Sequence, residues 1–447
     1  MIIIVYSETT ASNIESSLGR PEYSYYFVLK EFRPLLEQLG IVVAVADPAR
    51  EVDVIYRNAI AHGQPCVFLS FSPPHKTEVK LTCPTIPIFA WEFNSIPNEI
   101  WFDEPRNDWR TVFEKVGSAI THSNFTVNTV LQAMTPDFPI VSLPAPVWDR
   151  FAARYDSSAK VLQKPVEIEV SGTVLDCGVM DLASDGSCQH EANPRILRSR
   201  EQAGPDPVRV SIDGVVYMSV FNPYDGRKNW ADMMSAFCWA FREVEDATLV
   251  LKLTHSDVQG ALDVLLETLR RVSPFKCRVI IIHGYLSDTE YEKLVSATSY
   301  VVNTSHGEGQ CLPLMEFMSS GKPAIAPCNT AMTDYIDENN AFVIDSDLEP
   351  SHWPDDPRRA YRTLRYRIDW GTLLNAYQES YRVAKEDPAR YARMAQHAVR
   401  CLQQYCSRDL VQDRLVAFLA DHPGLKRDRM ALAAKVPQRD AQLVHAG

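Results

Sequence analysis

"NTSHGEGQCLPLMEFMSSGKPAIAP", residues 303–327, reads as the end of a strand, a loop, a helix, a turn and a second strand. Pro313 suits the first turn of a helix, where its missing N–H costs nothing, and Gly321 with Pro323 ends that helix. The stretch carries two carboxylates with seven residues between them: Glu308 on a Gly-flanked loop and Glu316 about one turn into the helix. In an open parallel sheet, ligands sit beyond the carboxyl ends of the strands, which is where this loop falls. The free amides of the helix start suit a phosphate. Gly307 and Gly309 let backbone approach a ligand with no Cβ in the way. Carboxylates do not bind a phosphate, but each can accept two hydroxyl hydrogen bonds, as ribose and hexose rings offer. The combination suggests amides for a diphosphate, one Glu for a ribose diol and one for a sugar. The plainer reading is a solvated Glu pair favoured by the helix dipole alone.

Outward from this stretch, short apolar runs alternate with amphipathic ones. In residues 1–150 the candidate strands are "MIIIVYS", "IVVAVAD", "VDVIYR", "PCVFLSF", "IPIFAWEF", "SAITHS" and "FPIVSLPAP". Helical segments such as "YSYYFVLKEFRPLLEQLG" lie between them. Residues 216–345 repeat the pattern: "VVYMSVF", a helix from about Asn229, "ATLVLKLT", a helix, and "CRVIIIHG". A helix opened by the capping box Ser287–Glu290 and the strand "YVVNTS" follow. Strands alternating with helices predict a mostly parallel sheet covered on both faces, here twice over.

Residues 155–212 break that pattern. "VEIEVSGTVLDCGVMD" alternates like a hairpin, and "ASDGSCQHEANPRILRSREQAGPDP" is polar and turn-rich. This predicts a β-rich insertion at the domain junction, either a plain surface elaboration or an accessory element at a cleft. Cys177, Cys188 and His190 are too few and too irregular for a zinc site. From "WGTLLNAYQESYRVA" to "VAFLADHP", about 370–422, the chain reads as helical, and residues 426–447 as a loosely held tail. The expected division is an N-terminal domain over 1–150 and a C-terminal domain over 151–425.

Composition narrows the function classes. At 447 residues the chain is long enough for two or three full cores. A formal net charge of -12 argues against nucleic acid, because neutralising phosphates needs clustered Lys and Arg. It equally disfavours a polybasic membrane-surface protein and leaves at most weak peripheral contact. No stretch approaches the roughly 20 apolar residues of a spanning helix. "MIIIVYSETT" is too short and lacks the basic flank of a signal peptide. The ten cysteines are scattered without a C-x-x-C pair, which fits a reduced, cytoplasmic chain rather than a metal cage or disulfide scaffold.

Residues 308–326 stand as Glu308-Gly-Gln-Cys-Leu-Pro-Leu-Met-Glu316-Phe-Met-Ser-Ser-Gly321-Lys-Pro-Ala-Ile-Ala. This resembles the donor-site motif of the family-4 retaining glycosyltransferases of the GT-B fold, E-G-F-G-L-P-x-x-E-A-M-A-x-G-x-P-V-I-A. Gln310 and Cys311 stand where the family has Phe-Gly. The resemblance implies Glu308 at the sugar and Glu316 at the nucleotide, with Gly309 and Leu312 in the donor site. A second match is "YMSVFNPYDGRKNW", where the family has a strand, a loop with Arg then Lys on the donor diphosphate, and a helix. Lys228 falls on the Lys position and Asn222 on the Arg position. Arg227 is adjacent and faces elsewhere in a regular loop. Lys252, ending "LVLKL", is either a substitute cation or a solvated strand-end lysine. Family members that use two cations need no metal or other cofactor, and no D-x-D motif sits at a strand end here.

A third match is "IFAWEFNSIPNEIWFDEP" followed by "VGSAITHSNFTVNTVL". It resembles a subset of these transferases that reads W-E-x-x-x-x-P and then S-x-F. Where many relatives carry a His in the acceptor cleft, this chain offers Trp91 and Glu92. Glu92 orients, deprotonates or hydrogen-bonds an acceptor hydroxyl, or else is a buried Glu paired to an Arg. His122 and Ser123 end the next strand on the acceptor side, with core or capping roles as the alternative.

The resemblance covers residues 85–150 and 215–420 and implies two Rossmann-like α/β/α domains facing across a cleft. It implies a hexosyl- or deoxyhexosyl-type transferase, retaining and metal-independent. The partners it implies are a nucleotide-sugar donor and a glycan or lipid-linked glycan acceptor, typically in bacterial surface polysaccharide or glycoconjugate synthesis. A homodimer is compatible with it. A Rossmann oxidoreductase would need G-x-G-x-x-G after an early strand, and "SETTASNIESSLG" has none. A pyridoxal-phosphate GT-B phosphorylase would need a longer chain. The rival from another class is an inert GT-B scaffold that binds a glycan or partner protein.

Overall fold

Residues 1–19, 22–156, 165–179 and 207–434 are described by a computed structural model of the chain. They form two large sheets and a separate hairpin. The first sheet holds β1 (Ile2–Tyr6), β2 (Ile41–Ala44), β3 (Cys66–Phe71), β4 (Thr85–Phe89), β5 (Ala119–Thr121) and β6 (Ile140–Ser142). Its order is β2-β1-β3-β4-β5-β6, with every pair parallel. β3 and β4 are buried at every position, as central strands covered on both faces require, while β2 at the edge leaves Ile41 exposed.

The strand expected at Val52–Arg57 is instead part of a helix, Pro48–Ala61. Its start was encoded by Pro48 in the first turn and by Glu51, whose carboxylate accepts the N–H groups of Ala46 and Asp47 at 2.9 and 2.6 Å. Val52 and Ala59, two turns apart, are buried on one face while Val54 faces solvent. The dense apolar run concealed that periodicity.

The second sheet holds β7 (Val166–Asp176), β8 (Val208–Ile212), β9 (Val215–Phe221), β10 (Ala247–Leu253), β11 (Arg278–Tyr285), β12 (Tyr300–Val302), β13 (Ala324–Pro327) and β14 (Ala341–Ile344). Its order is β14-β13-β12-β9-β10-β11-β7-β8. The six strands β9–β14 pair in parallel. Of the expected insertion, the described residues supply β7 and β8, which join the sheet. β7 pairs antiparallel with β11 from Ser171↔Tyr285 to Asp176↔Ile280, and its first half pairs with β8, so the two strands widen the sheet. Cys188 and His190 lie outside the described residues.

After β14 comes a hairpin that the sequence reading did not anticipate, β15 (Ser346–Ser351) with β16 (Thr363–Ile368). Helices Trp370–Glu386, Pro388–Cys406, Arg408–Asp421 and Pro423–Ala434 follow. The first packs on helix Trp230–Ala240 and buries Leu373, Tyr377 and Val383 in the second core. The next crosses back to the first half: Tyr405 Oη donates to His122 O at 2.7 Å, and Trp148 Nε1 donates to Val399 O at 2.9 Å. The tail expected from residue 426 is helical to Ala434. It is held by buried Leu425 and by Tyr56 Oη, which donates to Asp428 at 3.0 Å.

Candidate active site

The carboxyl ends of β9–β12 face those of the first sheet across a cavity of about 870 Å³. Trp91 and Glu92 line it from the first half, and Lys228, Lys252, Glu308 and Glu316 from the second. Strands of both halves thus aim their C-terminal loops at one space, where open α/β sheets bind ligands.

Glu308 is fixed on every side. Its carboxylate accepts from Lys228 Nζ at 2.7 Å, Ser305 Oγ at 2.6 Å and Asn303 Nδ2 at 3.0 Å, and its N–H donates to Thr330 Oγ1 at 2.9 Å. Burial by itself would raise its pKa, but the Lys228 ammonium and Arg227 guanidinium outweigh burial and hold Glu308 below the usual carboxylate range. Glu308 is therefore an anion, and it keeps Lys228 protonated in return.

Lys228 ends a 3-10 turn, Gly226–Lys228, opened by Asp225, whose side chain accepts Arg227 N–H. A turn of three residues throws successive side chains about 120° apart, so Arg227 also reaches the cleft. This corrects the expectation that it faces elsewhere. Arg227 Nη1 lies 2.9 Å from Glu92 Oε1, 3.0 Å from Gly307 O and 3.7 Å from Glu308 Oε2. Glu92 is thus paired to an arginine, and that arginine belongs to the other half. Burial raises Glu92 to about 7 despite Arg227, so it titrates near neutrality.

Gly307 and Gly309 serve a close approach, but of protein rather than ligand. A Cβ on Gly309 would lie 2.7 Å from Ala90 Cβ and 2.9 Å from Trp91 N, and one on Gly307 would lie 2.9 Å from Glu92 O. The loop that carries Glu308 presses directly on the backbone that carries Glu92. Gln310 adds to this seam, its Oε1 accepting Ala145 N–H at 2.5 Å. Cys311, at the second family Gly position, takes the left-handed conformation with φ 63°.

Helix Leu312–Ser319 begins there with Pro313 in its first turn, and Leu312 and Pro313 line the cavity. Glu316 is half-buried, accepts from Tyr291 Oη at 2.5 Å and is raised by burial to about 7. Sequence reasoning missed Tyr291; the capping box of its helix, Ser287 accepting Glu290 N–H at 3.2 Å, was the available signal, but it says nothing of the partner. Arg150, also missed, bridges Glu31 at 3.3 Å and Asp288 at 3.1 Å on the same wall.

The other expected residues divide. Asn222 lines the cavity and donates to Gly19 O at 3.1 Å. Lys252 is not solvated: it is 6% exposed, donates to Leu253 O at 2.8 Å and is lowered by burial to about 8. Trp91 lines the cavity from the first half, its ring 4.5 Å from Trp109 and its Nε1 donating to Ser95 O at 2.9 Å. His122 and Ser123 do not line the cavity. His122 is a buried core residue with Nδ1 2.8 Å from Leu143 O, lowered by burial to about 4. Ser123 caps helix Asn124–Ala133 by accepting Thr126 N–H. Both took the alternative roles: the His122 ring meets Phe32 and Leu143 O in the first core, and the Ser123 side chain bonds into the first turn of the helix that follows. Among the described residues, no group of His, Cys, Asp and Glu side chains could hold a metal ion, and no helix is long and apolar enough to cross a membrane.

No family model matches the chain, and no curated protein matches it in sequence. Solved structures do. HepE of Anabaena, in complex with UDP, aligns with a TM-score of 0.52 and 13% identity over 94% of this chain and 99% of that one. A glycosyltransferase from Rickettsia africae aligns with a TM-score of 0.52 and 10% identity over 94% and 98%. TarM of S. aureus gives a TM-score of 0.49 and 10% identity over 79% of this chain, which spans 55% of the length of TarM. The fold is GT-B: two Rossmann-like α/β/α halves facing across a cleft, as expected.

Proposed function

We propose that the chain is a glycosyltransferase, moving a sugar from a nucleotide-sugar to a hydroxyl of a glycan or lipid-linked glycan with retention of configuration and without a metal. One observation carries this: Lys228 and Glu308 meet at 2.7 Å on the cavity floor, where the helix bearing Glu316 begins. A buried cation, a buried anion and a helix start converge where a diphosphate with a sugar on one side and a ribose on the other finds a partner for each part.

In this reading Lys228, Arg227 and the helix-start amides meet the diphosphate. Glu316 with Tyr291 takes the ribose hydroxyls and Glu308 those of the sugar. The bond from the anomeric carbon to the diphosphate oxygen breaks, its electron pair leaving on that oxygen under the field of Lys228, which is the main catalytic contribution. The acceptor oxygen bonds to the anomeric carbon on the same face, oriented by Glu92, and its proton passes to the departing phosphate oxygen. HepE, captured with UDP and glucose and with UDP-glucose, supports the reading. The setting we assign is the synthesis of bacterial polysaccharide or glycoconjugate.

Isothermal titration with UDP-glucose, UDP-N-acetylglucosamine, GDP-mannose and dTDP-rhamnose tests it. At least one should bind; no heat with any of them, or with UDP, GDP and dTDP, favours an inert scaffold.

A further inference from the structure

The hairpin β15–β16 takes no part in the chemistry above, yet it touches both loops that do. At one end, Tyr366 N–H donates to His306 O at 3.0 Å, and His306 Nδ1 lies 2.8 Å from Tyr366 O, two residues before Glu308. At the other end it crosses to the first half. Leu364 N–H and Thr363 Oγ1 donate to Asn94 Oδ1 at 2.8 and 3.0 Å, two residues after Glu92. Ser95 Oγ donates to Arg362 O at 3.1 Å, while Trp353 Nε1 donates to Ser95 O at 3.2 Å. Trp353, 1% exposed, stacks on Trp101, and Glu99 takes Arg362 at 2.7 Å and Arg358 at 2.9 Å. Between these anchorages His352, Asp355 and Arg365 wall the acceptor end of the cavity.

Leu364 and Tyr366 are two residues apart on one strand, about 7 Å. A displacement of His306 therefore reaches the Asn94 side chain through two residues of strand. Opposite, Arg227 joins Glu92 to Gly307 directly. Besides the packing of Gly307 and Gly309 on Ala90–Glu92, the two loops are thus tied by Arg227 and by the hairpin, which lies outside the charged centre.

We propose that β15–β16 is a strap coupling the donor-side loop 305–309 to the acceptor-side loop 94–101, so that a diphosphate held by Lys228 and Arg227, which grip the first loop at Glu308 and Gly307, closes the second over the acceptor. This rests on the proposed donor site. The strap is a positioning element: it acts on the acceptor through the loop that follows Glu92.

Hydrogen–deuterium exchange of the full chain tests it, with inorganic pyrophosphate as the probe because that moiety is common to nucleoside diphosphate donors. Asn94→Ala removes the pin at the strap's far end; Thr363→Val, close in shape, is the second variant should the first fail to fold. Without ligand, both variants should raise exchange about tenfold at 94–101 and also at 305–309. Pyrophosphate should protect both loops in wild type and 305–309 alone in the variants. An unchanged rate at 305–309 in the ligand-free variants, or equal protection of both loops in all three proteins, overturns the coupling. If pyrophosphate protects 305–309 in no protein, the donor-site reading fails, while the ligand-free comparison still decides the coupling.

Discussion

Lys228 Nζ lies 2.7 Å from Glu308 Oε1, and the two side chains come from the loops that follow neighbouring strands β9 and β12. The pair is nearly dry, with side-chain exposures of 17% and 4%. Such a pair is a weak source of net stability, because desolvation offsets attraction, but breaking it strands one charge. Folding alone gives little reason for such a pair, which fits the proposed chemistry.

Lys228→Met strands Glu308 with Ser305, Asn303 and a more distant Arg227. It should destabilise the ligand-free chain by about 3–5 kcal/mol and weaken nucleoside diphosphate binding at least tenfold. Glu308→Gln should leave that binding within a few-fold of wild type while cutting turnover of the sugar donor more than a hundredfold. Urea melts, calorimetry and steady-state kinetics separate the two effects. Wild-type kinetics in both variants would remove the donor assignment.

Glu92 and Glu316 are both raised by burial to about 7. An unfolded Glu titrates at about 4.3, so the folded chain binds more protons between that value and 7. The stability this gives is complete below the unfolded value and is lost as pH rises through about 7. Melting midpoints should therefore fall from about pH 5 to about pH 8, less steeply in Glu92→Gln and Glu316→Gln. A bound diphosphate raises Glu92 further, because added negative charge disfavours its carboxylate. Binding near neutrality should then take up protons, seen as a heat that depends on the buffer's ionisation enthalpy and missing in Glu92→Gln. Buffer-independent heats in wild type contradict this account.

The strand, loop and helix of 303–327 were legible because their signals are local: Pro313 and Gly321 mark the helix, and Glu316 sits at a position the helix fixes. That Glu92 pairs with an arginine was one of its two readings, but that the arginine is Arg227 was not legible, because it depends on how the two halves dock. The same docking explains Gly307 and Gly309: the sequence announces that something must come close, not that Ala90–Glu92 does. Tyr291 meets Glu316 across 25 residues and a strand, with no periodicity to flag it. β15, Ser-Asp-Leu-Glu-Pro-Ser, has weak strand propensity and is held by β16, whose Leu364-Arg-Tyr-Arg-Ile368 alternation was the overlooked cue.

The proposed metal independence rests on the cations Lys228 and Arg227 at the proposed diphosphate site. Turnover should survive excess EDTA with less than a twofold change. Loss of activity under chelation, restored by Mn²⁺ or Mg²⁺, would refute it and require a carboxylate site not assigned above.

Lys252 is the candidate to replace the cation missing at Asn222. Its ammonium is buried, donates to Leu253 O, and is lowered to about 8 by burial. An unfolded Lys titrates at about 10.4, so the unfolded chain holds more protons between 8 and that value, and stability should rise with pH across this window. Lys252→Met should abolish that rise and stabilise the ligand-free chain, since it removes a charge buried without a carboxylate beside it. It should also weaken nucleoside diphosphate binding about tenfold. Unchanged affinity would leave Lys252 with no role at the donor.

Cys311 holds φ 63° at the start of the helix that bears Glu316. A non-Gly residue in the left-handed region costs roughly 1–2 kcal/mol, and Gly there costs about 0.5–1 kcal/mol more than other residues in unfolded-chain entropy. The thiol recovers part of the strain through Asn303 Nδ2, 3.0 Å from Sγ, and burial pushes it up to about 12, so it is neutral at the cleft. These effects nearly cancel, and Cys311→Gly should melt within about two degrees of wild type, equivalent to less than 1 kcal/mol, and bind nucleoside diphosphate within threefold. Cys311→Val is the opposite case. A β-branched residue is a genuine outlier at positive φ, so the first turn must unwind or shift and carry Glu316 away from Tyr291. Its melting midpoint and its nucleotide affinity should fall together. A tolerated Val with a destabilising Gly would mean that the side chain, not the backbone conformation, is what this position requires.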